Sequence, residues 1–99
     1  MKRGLFVAKL KGEVVSVKDS GDLVTDISSD QLEGVPRDES VTVKCDGHVT
    51  AGIYPPNHEQ PELTLLAIAG DEHLELILVG ESASAFLGIK PGSAVEVKW

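Results

Sequence analysis

Cysteine, aromatic residues and clustered cations are all scarce in this chain. Cys45 is the single cysteine, so no internal disulfide can form and no cysteine-based metal site is visible. A lone thiol is compatible with the reducing cytosol. Aromatic residues make up 4% of the sequence, so the core has to be built from Val, Leu, Ile and Ala. Nine Lys and Arg stand against sixteen Asp and Glu, a formal net charge of −7. The basic residues near the start, Lys2, Arg3, Lys9 and Lys11, form no dense cluster. Neutralising phosphates takes clustered cations, so nucleic acid and anionic membrane surfaces are disfavoured as partners. No apolar run approaches the roughly 20 residues that a membrane-spanning helix needs. Residues 1–10 lack an apolar core followed by a cleavage site. The expectation is a soluble cytoplasmic protein.

What is present is ordinary globular composition, 41% apolar and 25% charged, over a length of 99 residues that fits one domain spanning 1–99. Alternation of apolar and polar residues dominates. It predicts strands over 6–10, 12–18 and 22–27, with a turn at Asp19, Ser20 and Gly21. Residues 28–32 read as a capped helical turn with Ser28 or Ser29 at its start and Gly34 at its end. Strands over 40–45 and 48–54 flank Asp46-Gly47, a strong hairpin signal because a type I′ turn needs positive φ at both central residues. The proline-rich stretch 55–61 reads as a polar loop. Near-continuous apolar runs over 63–69 and 74–79 predict two central strands buried on both faces. A short helix over 82–87, capped by Ser82 and stopped at Gly88, precedes a last strand over 94–98. This is an all-β pattern, a mainly antiparallel β-barrel of about six to eight short strands with one or two helical turns.

Candidate chemistry is thin. His48, His58 and His73 show neither helical i,i+4 spacing nor neighbouring cysteines, so no metal site is predicted. Ser82 and Ser84 lie in no nucleophile-elbow motif, and no base is placed by sequence to activate them. Cys45 at a strand end reads as a buried structural thiol. No catalytic residue is assigned.

Two segments carry a resemblance that reaches further. Residues 12–27 (GEVVSVKDSGDLVTDI) follow a pattern close to G-x-V-x-x-I-D-x-F-G-N-L-(I/V)-T-N-I, and residues 74–92 (LELILVGESASAFLGIKPG) one close to L-E-I-A-V-N-x-G-N-A-A-x-x-L-G-(L/I)-x-x-G. In order and spacing, from about Gly12 to Lys98, the chain resembles the C-terminal domain of the S-adenosyl-L-methionine (SAM) hydroxide adenosyltransferases, the family that includes the SAM-dependent fluorinase and chlorinase. The resemblance implies a β-barrel and an adenosine- or SAM-like ligand at Asp22, Thr25, Asp26, Gly80, Ser82 and Ala83. It also implies what this chain has changed. The carboxylate that holds the methionine amino group falls at Lys18, a charge reversal that replaces attraction with repulsion. The nucleoside-packing Phe is Ser20. The adenine-reading Asn is Asp22, which accepts hydrogen bonds but, ionised, donates none. Two further Asn positions are Val79 and Ser82. The family's larger N-terminal domain, which completes the active site across a trimer interface, has no counterpart here. Two functions therefore stand as expectations. One is a stand-alone, non-catalytic binding or assembly module with no bound cofactor, acting as a homo-oligomer or with a partner protein. The other is a nucleoside-binding half-site completed by a separately encoded partner resembling the missing domain.

Overall fold

The computed structural model of the chain describes residues 8–99. Its strands are β1 (Lys9–Val17), β2 (Leu23–Ser28), β3 (Thr42–Cys45), β4 (His48–Ala51), β5 (Ile53–Tyr54), β6 (Leu65–Ala69), β7 (His73–Leu78) and β8 (Ala94–Lys98). A 3-10 turn at Asp30–Leu32 and one short helix, α1 (Ala83–Leu87), complete the secondary structure. The sheet order is β4-β3-β8-β1-β2-β7-β6-β5. Every neighbouring pair is antiparallel except β5 and β6. The sheet curls until it nearly closes, and the Thr50 hydroxyl donates across the seam to the Leu65 carbonyl at 2.7 Å. The fold is thus all-β, an almost complete barrel.

The alternation read from the sequence fills the interior. Val14, Leu23, Ile27, Val43, Leu74, Leu76, Val95 and Val97 point inward and are at most 1% exposed. Side chains of this size each contribute about 1.5–3 kcal/mol on full burial, so the core needs no aromatic residue. The local signals also hold. Asp46 and Gly47 take φ of 49° and 85°, as a type I′ hairpin requires. The Ser82 hydroxyl caps α1 by accepting from the Ala85 amide at 3.0 Å, and Gly88 ends it in the left-handed region. At the 3-10 turn Ser28, rather than Ser29, is the side-chain cap. Its amide donates to Gln31 Oε1 at 2.9 Å while its hydroxyl accepts from the Gln31 amide at 3.3 Å.

Four expectations change. The first two strands are one, β1, whose start pairs with β8 and whose end pairs with β2 across a bulge at Val15. Phe6 and Val7 lie outside the described residues. The strand expected over 48–54 breaks at Gly52, whose amide turns to the Val41 carbonyl, so β5 leaves the hairpin and joins β6 in parallel. Leu63 sits at φ 65°, outside any strand conformation, and β6 starts two residues later. Burial on both faces holds for β6, where Leu66, Ala67 and Ile68 are consecutive buried residues, but not for β7, where burial alternates. The reason is the connection 55–64, which must carry the chain back to the start of a parallel neighbour. Leu66 and Ile68 are buried yet stand apart from the barrel core. Pro56 lines a groove with Ile68, His58 lines another with Ile77, and Glu62 packs near Gly80. This connection therefore lies over the outside of the sheet. Where it stops short of β7, grooves open.

Candidate functional site

Three segments converge at one end of β7. The turn 18–22 is closed by hydrogen bonds between Lys18 and both Gly21 and Asp22. The turn after β7 is closed by the Glu81 amide donating to the Leu78 carbonyl at 3.0 Å. The Ser84 amide, in the first turn of α1, donates to the Gly21 carbonyl at 3.0 Å and ties the two turns together. The segment around Leu63 and Thr64 pairs with Val79 through two backbone hydrogen bonds of 2.8 and 3.0 Å. Between these pieces lies an open groove of about 500 Å³ lined by Ser20, Asp22, His58, Val79, Gly80, Glu81 and Ser82, with Ile77 and Leu78 behind them.

Of the six residues expected at a ligand site, the groove gathers Asp22, Gly80 and Ser82. The other three are placed elsewhere. Thr25 is fully buried, donating to the Leu74 carbonyl at 2.7 Å and accepting from the Ile27 amide at 3.2 Å. The β2–β7 ladder is interrupted between Val24 and Ser28, and this hydroxyl occupies the gap. Asp26 faces β1, where its Oδ1 accepts from the Glu13 amide at 2.8 Å. Ala83, the first residue of α1, is fully buried. Each of the three has a structural task, and none lines the groove.

His58 and Glu81 line the groove without having been singled out as site residues in the sequence. His58 Nδ1 accepts from the Gln60 amide at 3.2 Å, which leaves Nε2 as the donor of the neutral ring. A histidine inside a proline-rich loop carries no sequence signal of this position, because the loop's path is set by the parallel β5–β6 pairing. Chemically the groove is rich in acceptors. Its two carboxylates only accept, while the two hydroxyls both donate and accept; the negative charges suit a ligand bearing amino groups or a positive charge and oppose a phosphate.

Lys18 belongs to a neighbouring groove of about 510 Å³ that it shares with Val24, Ile68, His73 and Glu75. Its Nζ lies 3.0 Å from Glu75 Oε1, and this contact raises the ammonium pKa above its ordinary value. The Lys18 charge is thus matched by an internal counter-ion from β7. Among the described residues no group of three or more His, Cys, Asp or Glu side chains is arranged to hold a metal, and no helix is long and apolar enough to cross a membrane.

Cys45 is 2% exposed inside the barrel, and burial pushes its thiol up from 9.0 to about 11. In the unfolded chain the thiol ionises first, so its contribution to stability is complete below about pH 8.5 and is lost as pH rises toward the folded value. The loss is on the order of 2–3 kcal/mol. Urea denaturation at about pH 8 and pH 10.5 should show a steeper fall for the wild type than for Cys45→Ala. Equal falls in both proteins would count against a thiol held neutral by burial.

No family model matches the sequence, and no curated protein matches it. The fold is similar to part of an uncharacterized conserved protein from Thermotoga maritima, with a TM-score of 0.70 and 22% identity over 88% of this chain and 35% of that one. It is similar as well to part of a conserved hypothetical protein from Thermus thermophilus, with a TM-score of 0.67 and 23% identity over 88% of this chain and 34% of that one. At such identities the likeness concerns the fold alone, and the chain spans about a third of the length of either neighbour.

Proposed function

We propose that this barrel is a non-catalytic binding and assembly module of the cytoplasm, similar in kind to the C-terminal domain of the SAM hydroxide adenosyltransferases. The observation that carries the reading is the open groove at the end of β7. Its walls are polar, with Ser20, Asp22, Glu81 and Ser82 on them, which suits holding a polar ligand or partner segment. The aligned parts of the two fold neighbours are about a third of longer chains, a proportion that suits a barrel working beside a larger unit. The partner proposed for this barrel is a second copy or another protein.

The second reading, a nucleoside half-site completed by such a partner, is favoured by one specific observation. Asp22, Gly80 and Ser82 come from segments some sixty residues apart in sequence and meet on one groove. Asp22 would accept from the amino group of an adenosine-like ligand, and the Gly80 turn presents backbone without a side chain in the way. Calorimetry with adenosine, SAM and AMP tests this. Adenosine and SAM are expected to bind weakly, at about millimolar Kd, and AMP less well because Asp22 and Glu81 repel its phosphate. Asp22→Ala should weaken adenosine binding by about tenfold, near 1.4 kcal/mol. Absence of heat with adenosine and SAM at millimolar concentration would remove unaided nucleoside binding and leave the assembly role. A chain that stays monomeric and captures no partner would count against that role in turn.

A further inference from the structure

The net charge of −7 conceals a face of opposite sign. Strands β1, β8, β3 and β4 are consecutive antiparallel neighbours, so their residues fall into rows across the sheet. One row is Lys9, Lys98, Thr42 and Ala51, and the next is Lys11, Glu96, Lys44 and Val49. Glu13 stands opposite Ala94 in a third row. Val43, Val95 and Val97 point into the core, so the alternating residues of these rows share the outer face. Four of the nine cations meet there, with Glu13 and Glu96 as the only two of the sixteen acids in those rows.

The arrangement is costly for the sheet by itself. Lys9 and Lys98 are directly opposed, and like charges in that position destabilise a strand pair. Glu96 serves as their shared counter-ion, with its carboxylate 3.9 Å from Lys9, 3.9 Å from Lys11 and 3.5 Å from Lys98. Burial alone would push that carboxyl up, but the three ammonium groups outweigh it and hold the pKa below its ordinary value. One carboxylate cannot neutralise three neighbours and Lys44 besides. Apart from Thr42 and Glu13 the remainder of the face is aliphatic, with Ala51 and Ala94 exposed and Val49 59% exposed.

We propose that this face docks a short acidic segment of a partner protein, its carboxylates on Lys9, Lys11, Lys44 and Lys98 and its apolar side chains against Val49, Ala51 and Ala94. Four strands about 4.8 Å apart and about five residues long make a plate roughly 15–20 Å on each side. An extended segment of about five or six residues spans it. A nucleic-acid duplex or an anionic membrane carries its charge far beyond such a plate and would meet the acidic remainder of the molecule. Size and charge therefore favour a short acidic peptide. The face is separate from the groove at the end of β7, and the proposal stands whether or not that groove binds a nucleoside.

Fluorescence anisotropy with a labelled oligo-glutamate peptide of about ten residues tests it, since a protein of net charge −7 has no general attraction for that probe. Binding is expected at low ionic strength and should weaken at least about tenfold by 0.3 M salt as the charges are screened. The double variant Lys44→Glu, Lys98→Glu should lose at least about tenfold in affinity, and Lys90→Glu, a lysine outside these rows, no more than about twofold. Should the charge-reversed protein fail to fold, Lys44→Gln with Lys98→Gln should still show a loss of severalfold. Absence of binding at low salt, or an equal loss in Lys90→Glu, would overturn the proposal. Tighter binding of a short DNA duplex than of the peptide would also overturn it, in favour of nucleic acid.

Discussion

Gly21→Ala is expected to destabilise the protein by about 3 kcal/mol or more, combining backbone strain with a steric clash. Gly21 holds φ at 91°, a left-handed conformation that costs a residue with a Cβ about 1–2 kcal/mol. A Cβ there would stand 2.6 Å from the Ser82 Cα and closer still to its side chain. Backbone cannot swing aside as the tip of a flexible side chain can, so the two turns would have to separate. That separation also threatens the hydrogen bond from the Ser84 amide to the Gly21 carbonyl. For a chain of this size the loss corresponds to a fall in Tm of about 12 °C or more. Gly34→Ala is the control. Its φ is 82° and nothing lies within 4 Å of the added carbon, so only the backbone cost of about 1–2 kcal/mol applies. Equal losses in the two variants, measured by urea denaturation, would show that contact with Ser82 is not the cause. The same contact holds Asp22 and Ser82 on one groove, which links this scaffold glycine to the candidate site.

Thr25→Val is the second large effect. The exchange keeps the shape and removes the hydroxyl, leaving the Leu74 carbonyl and the Ile27 amide without the partner that joins them. A buried group stripped of its partner costs about 1–3 kcal/mol, so a total of about 2–4 kcal/mol is expected. Thr25→Ser keeps the oxygen and should recover most of it. If Thr25→Val proves as stable as the wild type, the hydroxyl is not what bridges the interrupted β2–β7 ladder. Stability is the property expected to change. Because Thr25 does not line the groove, any ligand binding there should persist in the variant wherever it remains folded.

These two residues show how far the sequence was legible. Gly21 and Thr25 both belong to the segment 12–27 that carries the family resemblance. Their presence was visible, but their tasks were not. Thr25 was expected at a ligand site only because the resemblance implies one there. Its hydroxyl is occupied because β2 and β7 fall out of step, and a register shift between strands almost fifty residues apart leaves no trace in either strand's own pattern. Asp26 is a similar case, drawn to β1 by the free amide of Glu13. Conversely His58 lies in a stretch that reads only as a polar loop, and the path of residues 55–64 over the outer face brings it to the groove that Asp22 also lines. The lysines follow the same logic. Lys9 and Lys11 appeared isolated along the chain, and strand pairing sets Lys44 and Lys98 alongside them.

The sequence by itself determined where most of the strand-forming segments lie, though not all of their limits, together with the Asp46-Gly47 turn, the caps of α1 and the apolar residues of the core. Each of these follows from sterics within a few residues or from a period of two along one strand, so neighbouring residues suffice to specify it. Tertiary structure alone decided that β8 runs between β3 and β1, that β5 leaves its hairpin to lie parallel to β6, and that one turn meets another at Gly21. Those outcomes depend on pairings between distant segments, where many registers satisfy the same alternation and only the packing of the whole barrel selects one. The groove and the cationic face are built from such pairings, so no local pattern encodes either of them.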